Sequence, residues 1–325
     1  MEYAKLLLVF TFCLLEGCMS SRVVSRQRDF QPPDGRILLI VGQDDRTVET
    51  YIKETGIVPG GFMIYTSIQT MEGLDGVSKD YGSGTCFTDK LIEKYPDTVI
   101  QIGLYMVDAL DDTLKGKYDK NIRHLEKWAK KVRIPIFLRI GYECDGSHNH
   151  YDPDQYTEAY RYIVDKLNSS GVDNIAYVWH VHGHGTDQKL DDYYPGDAYV
   201  DWIAFSYFDQ PQDMMEPAIR FARDHKKPLM IGESTPRGIG TRMDKISWEA
   251  WFKNYFQFIK EHNIKIISYI NSNWENQPMW KDQGWGDARV QADAFVKEKW
   301  IEEISQDMYL HSSKELFKIL GYEKE

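Results

Sequence analysis

The chain has 325 residues, 42% hydrophobic and 27% charged, which suffices for one large core or two modest ones and argues against wholesale disorder. A formal net charge of -11 and a pI of about 5.4 give no counterion-release gain on a polyanion, so a nucleic-acid partner is not expected and a polyanionic substrate is disfavoured. Aromatics at 14%, with 9 Trp and 21 Tyr, leave two uses open: filling a large core, or lining a cleft with flat rings.

Residues 1–17 read as a signal peptide. Lys5 precedes an apolar run from Leu6 to Leu15 that is too short to span a membrane, and small residues follow. Leu15-Glu16-Gly17-Cys18 resembles a bacterial lipobox, which implies export and a lipidated Cys18, as in a cell-surface or periplasmic lipoprotein. Residues 18–35 are polar and contain proline, as a tether would. Membrane contact is expected only through that anchor. Cys13 leaves with the signal, so Cys86 and Cys144 remain, either as a disulfide or as two free buried thiols.

From residue 36 short apolar runs alternate with helical patterns. Strands are expected at 36–44, 61–68, 98–106, 134–143, 175–181, 201–209, 228–235 and 264–274. Helices are expected at 47–55, 89–96, 117–132, 152–171, 213–226, 247–263 and about 290–303. Asp152 precedes Pro153 as an N-cap, and Gly171 stops that helix. The strands are near-continuous apolar runs, as parallel strands buried on both faces require. Eight such units in about 270 residues predict an α/β fold, a single-domain (β/α)8 barrel over 36–303 with a helical tail at 304–325. An open doubly wound sheet would want a Gly-rich phosphate loop after its first strand, and "VGQDDRT" is not one. A monomer is expected.

In such a barrel the chemistry sits where strands end. The fourth strand finishes in Tyr142-Glu143 and the seventh in Gly232-Glu233-Ser234. Paired carboxylates are what glycoside hydrolysis needs: one protonated to serve the leaving oxygen, one ionised to attack the anomeric carbon or activate water. Glu reaches far enough from a strand end for a separation of roughly 5 Å, the spacing of retaining enzymes.

"FLRIGYECDG" at 137–146, followed much later by "LMIGEST", resembles the clan A glycoside hydrolases, which are retaining barrel enzymes with the acid/base after strand 4 and the nucleophile after strand 7. Within the clan the chain is most similar to glycoside hydrolase family 26, whose members include β-mannanases, lichenases and β-1,3-xylanases. That family has an Arg upstream of a His-Glu pair, where this chain has Arg139 before Tyr142-Glu143. It also carries a stretch like "YYPGDAYVDWIAFSYFD" at 193–209. The resemblance implies Glu143 as acid/base, Glu233 as nucleophile, Tyr207 in contact with the nucleophile, Arg139 as support and Trp274 as a floor for the sugar. It implies a β-linked glycan as substrate and no cofactor. Tyr142 replaces the family's His, and "CDGSHNHYD" replaces its Trp-rich stretch, so the sugar itself is left open.

"WHVHGHG" at 179–185 places His180, His182 and His184 on one face if the strand continues. A metal site would need further ligands at other strand ends, so no metal is expected, and His180 and His182 are assigned to sugar hydroxyls. Asp209 and Asn271 are further hydroxyl partners. Trp274, Trp280 and Trp285 share one polar loop, so Trp274 and Trp285 are expected to form a substrate platform. Two other functions fit the same residues: a non-catalytic surface glycan-binding lipoprotein, and a His-dependent metal hydrolase.

Overall fold

The computed structural model describes residues 29–183 and 190–323. The expected signal peptide and lipobox, with Cys13 and Cys18, and His184 lie outside the described residues.

Eight parallel strands close on themselves: β1 (Ile37–Gly42), β2 (Gly61–Ser67), β3 (Val99–Tyr105), β4 (Ile136–Ile140), β5 (Ile175–Val181), β6 (Trp202–Tyr207), β7 (Leu229–Ser234) and β8 (Ile266–Ile270). Each pairs with the next, β8 pairs with β1, and Ile40 to Gly42 of β1 pair with Gly61 to Met63 of β2 to complete the ring. This is a single-domain (β/α)8 barrel. Apart from a few residues at the ends of β2 and β3, the strands are buried throughout, between the filled interior and the helices outside.

Local chemistry sets the helices. Asp44 caps the helix Asp45–Thr55 through a capping box with Thr47, and Gly56 ends it in the left-handed region. Asp152 accepts from the Gln155 amide to open Pro153–Ser169, a cap worth about 1 kcal/mol. That helix buries Tyr156, Tyr160, Ile163, Val164 and Leu167 against the barrel. The expected 247–263 helix instead carries a π-helical turn at Trp248–Phe252, with Trp251 stacked on Tyr255 and donating to the Phe208 carbonyl.

The bottom of the barrel differs from expectation at both chain ends. Residues 29–35, expected within the tether, pack on the domain from Asp29 onward. The Trp202 indole donates to the Asp29 carbonyl at 2.5 Å, and Phe30 sits edge-on to Phe137 and Tyr322. Within the tail expected to be helical, β9 (Tyr309–Leu310) instead joins the sheet parallel to Ile37 and Leu38, followed by the short helix Leu316–Ile319. These segments seal the end opposite the mouth. Truncating a fully buried ring such as Trp202 or Phe137 there costs about 3–5 kcal/mol. Cys86 and Cys144 are both free and buried. Among the described residues no helix is long and apolar enough to cross a membrane.

Candidate active site

At the mouth, β4 stops at Ile140, earlier than expected. Gly141 (φ 57) and Glu143 (φ 51) then turn left-handed and carry the chain across the opening. For a glutamate that conformation costs about 1–2 kcal/mol, so surrounding bonds must hold it. The Cys144 amide donates to the His180 carbonyl at 3.0 Å, and the Asn149 carboxamide donates to the carbonyls of Tyr142 and Glu143 at 2.9 and 3.0 Å. On β7 an extra residue breaks the register: Phe205 pairs with Ile231, but Ser206 pairs with Glu233. This bulge alters the aim of the strand's last side chains.

The two carboxylates are buried and joined by one polar chain. Arg139, wholly buried inside the barrel, donates from Nη1 to Glu233 Oε1 at 2.5 Å. The same nitrogen is 3.1 Å from His180 Nδ1. A guanidinium only donates, so His180 Nδ1 accepts, and the ring's proton lies on Nε2. Nε2 is 3.2 Å from Ser206 Oγ, and Ser206 donates to Glu143 Oε1 at 2.5 Å. Hydrogen bonds therefore run from Glu233 through Arg139, His180 and Ser206 to Glu143. Two glycines make the room: a Cβ on Gly103 would lie 2.9 Å from Arg139 Nη2, and one on Gly232 would lie 3.0 Å from the His180 ring.

The other oxygen of each carboxylate faces different company. Glu143 Oε2 lies 2.9 Å from His148 Nε2, and His182 Nε2 stands 3.9 Å from Oε1. On the β7 side Tyr65 stands near enough to Glu233 to favour its charged form, its hydroxyl donating to Met63 Sδ at 3.7 Å, and the Tyr65 and Tyr142 rings flank the Arg139 guanidinium at 5.3 and 5.2 Å. Burial alone would raise the pKa of Glu143, but the His148 hydrogen bond and the charges of His182 and His148 outweigh it, lowering the pKa to about 2. Burial pushes Glu233 up against the pull of Arg139, and the Glu143 charge adds to the rise. Burial and the Arg139 charge push His180 down, in keeping with its neutral tautomer. The Glu143 bond raises His148.

The remaining expected residues divide. Tyr142 is half-buried beside Arg139, and His182 is partly buried beside Glu143. His180 is wholly buried and acts between protein groups, not at the cleft surface. Tyr207 points outward into the helix layer, among Trp251, Tyr255 and Phe258, with its hydroxyl accepting from Gln212. The contact with Glu233 expected of it comes from Tyr65. Asn271 latches the segment after β8, accepting from the Val290 amide and donating to Gln291, and being wholly buried it presents no surface to a sugar hydroxyl. Asp209 is exposed at the rim, 3.9 Å from Arg237.

Trp274, Trp280 and Trp285 pack as one cluster with ring centroids 5.0 to 5.5 Å apart. Trp274 is almost fully buried and donates to Thr235 at 3.3 Å, so it braces the end of β7. Trp280 reaches across to the Gly82 carbonyl at 2.6 Å, and Arg237 lies over Trp285 at 4.4 Å. The half-buried Trp280 and Trp285 leave ring surface at the rim.

Tyr65, His148 and Ser206 were not singled out from the sequence. The alternation along β6 points to Ser206 once Tyr207 is known to face out. His148 lies in "CDGSHNHYD", the stretch where the chain departs from the family pattern. Glu143, His148 and His182 hold ligand atoms within 4.8 Å of one another, the one group of three metal-ligating side chains among the described residues.

Residues 97–283 match the family model "Glycosyl hydrolase family 26". A β-1,3-xylanase from Vibrio sp. is 33% identical, with the match covering 89% of this chain and 69% of that protein. Another from Alcaligenes sp. is 30% identical, covering 89% and 68%. A β-mannanase structure from Bacteroides ovatus superposes with a TM-score of 0.65 at 15% identity, over 92% of this chain and 96% of the other.

Proposed function

As this chain belongs to glycosyl hydrolase family 26 and is a glycoside hydrolase acting on β-linked polysaccharide, we propose that it cleaves its glycan with retention, Glu233 serving as nucleophile and Glu143 as acid/base. β-1,3-linked xylan is the substrate to test first, since β-1,3-xylanases are similar along 89% of the chain. The observation that carries the proposal is the pair of buried carboxylates linked through Arg139, His180 and Ser206 at the barrel mouth.

The bonding pattern assigns the oxygens. Arg139 occupies Glu233 Oε1, so Oε2 attacks the anomeric carbon as the bond to the leaving oxygen breaks. Ser206 occupies Glu143 Oε1, so Oε2 serves the leaving oxygen. In the free protein the proton of the Glu143–His148 pair sits on the imidazole. A glycosidic oxygen arriving at Oε2 displaces that ring, and the proton passes through Glu143 to the leaving group. Water then attacks the glycosyl-enzyme, giving its proton to Glu143 and releasing Glu233. The site calls for no cofactor, and Trp280 and Trp285 at the rim offer ring faces to sugars.

The test is incubation with β-1,3-xylan, β-1,4-xylan and β-mannan, following the first-formed anomer by proton NMR. Early appearance of the β-anomer is expected. First-formed α-anomer would overturn retention, and no turnover on any β-glycan would remove the catalytic assignment.

A further inference from the structure

We propose that Glu143, His148 and His182 form a binding site for a zinc-class divalent cation, and that its occupation switches the enzyme off. The proposal rests on Glu143 being the acid/base, as read above.

The loop after β4 is built to bring His148 back over Glu143. The Gly146 amide donates to the Glu143 carbonyl at 2.8 Å, and the Asn149 amide donates to the Gly146 carbonyl at 3.0 Å. A Cβ on Gly146 would stand 2.5 Å from His148 Cε1 and 3.0 Å from the Glu143 carbonyl, so the glycine leaves the ring room in this position. His182 is fixed from the neighbouring strand end, where its amide donates to Asp145 Oδ1 at 2.6 Å. The two imidazoles meet edge to face with centroids 5.2 Å apart.

The spacing suits a tetrahedral ion. Ligand bonds of about 2.0–2.2 Å put neighbouring ligand atoms about 3.4 Å apart. His148 Nε2 lies 2.9 Å from Glu143 Oε2 and His182 Nε2 lies 3.9 Å from Oε1, and one ligand atom from each of the three residues falls within 4.8 Å of the others, close enough to converge on such an ion. Two imidazoles and one carboxylate favour zinc, copper or nickel over magnesium or calcium. His148 is 49% exposed and His182 20%, so an ion enters from the cleft and keeps a position for water. The cation takes the Glu143 and His148 lone pairs that otherwise share a proton. A Glu143 bound to metal cannot donate to a leaving oxygen, so the bound form is inactive.

The experiment is calorimetric titration of the whole protein with zinc chloride, beside glycanase assays with zinc and then with EDTA. One zinc per chain, inhibition on binding and recovery with EDTA are expected. His148→Ala and His182→Ala should each weaken zinc binding about 10–100-fold, and Glu143→Gln likewise. His225→Ala, whose imidazole pairs with Asp197 away from the mouth, serves as the control and should bind as the parent does. Circular dichroism checks that each variant is folded. Unchanged zinc affinity in both His148→Ala and His182→Ala would overturn the site, as would full activity with one zinc bound. Calorimetry reads the site without substrate, so a protein that binds zinc but cleaves no glycan would sink the catalytic assignment and leave the metal site standing.

Discussion

The ends of β4 and β7 each present a buried glutamate to the same cleft, and they hold it in opposite ways. Glu233 belongs to its strand, and its partners Arg139 and Tyr65 also stand on strands. Glu143 lies three residues beyond its strand, in a strained loop, with a half-exposed imidazole on one oxygen and a buried serine on the other. A group that must form a bond to carbon gains from a fixed position. A group that must give and take a proton gains from a partner that reaches solvent. Arg139, His180 and Ser206 connect the two, so a change at either end is felt at the other.

Breaking the two ends separately gives the largest effects. Glu233→Gln should abolish turnover on polysaccharide and on activated aryl glycosides alike. Glu143→Gln should lower polysaccharide turnover about 10²–10⁴-fold. It should spare the first step on an aryl glycoside whose leaving group needs no proton, measured as a burst of phenol. Equal losses on both substrates in both variants would erase the difference between the ends.

Arg139→Met comes next. It leaves Glu233 as an uncompensated buried carboxylate, so about 3–5 kcal/mol of stability should be lost, measured by urea unfolding. Arg139→Lys keeps a charge and should lose less. Ser206→Ala leaves buried polar atoms on His180 and Glu143 short of a partner, at a cost of about 1–3 kcal/mol.

The smallest effect lies in the aromatic loop after β8. Asp287 there bonds Arg289 and Arg242. Burial would raise its pKa, but those hydrogen bonds outweigh it and hold the carboxylate below its ordinary value. A depressed folded pKa contributes stability above the unfolded value of about 3.9 and loses it as pH falls through the folded one. Asp287→Asn should cost about 1–2 kcal/mol at neutral pH, and its melting temperature should converge on the parent's on acidification. A gap that persists once the pH has fallen below the folded pKa would assign the effect to packing and not to charge.

The barrel was legible because parallel strands buried on both faces leave unbroken apolar runs, and caps such as Asp152-Pro153 mark helix starts. β4 ends three residues short of the expected 143, since nothing in "IGYE" announces that Gly141 and Glu143 turn left-handed. Tyr207 was expected at the nucleophile, but the β6 alternation turns Ser206 inward and Tyr207 outward. Tyr65 and His148 looked like an ordinary strand tyrosine and an ordinary loop histidine, because their roles depend on partners far away in sequence or on a tight loop. Asn271 shows the converse: a polar side chain at a strand end can be spent on the protein's own groups, here the Val290 amide and the Gln291 carboxamide.

The division of labour is tested most directly by trapping the enzyme with a 2-fluoro xylo-oligosaccharide carrying an activated leaving group and locating the adduct by peptide mass spectrometry. A single glycosyl label on the peptide containing Glu233, absent in Glu233→Gln, is the expected result. A label on Glu143, or turnover with no covalent species and an inverted product, would contradict the account.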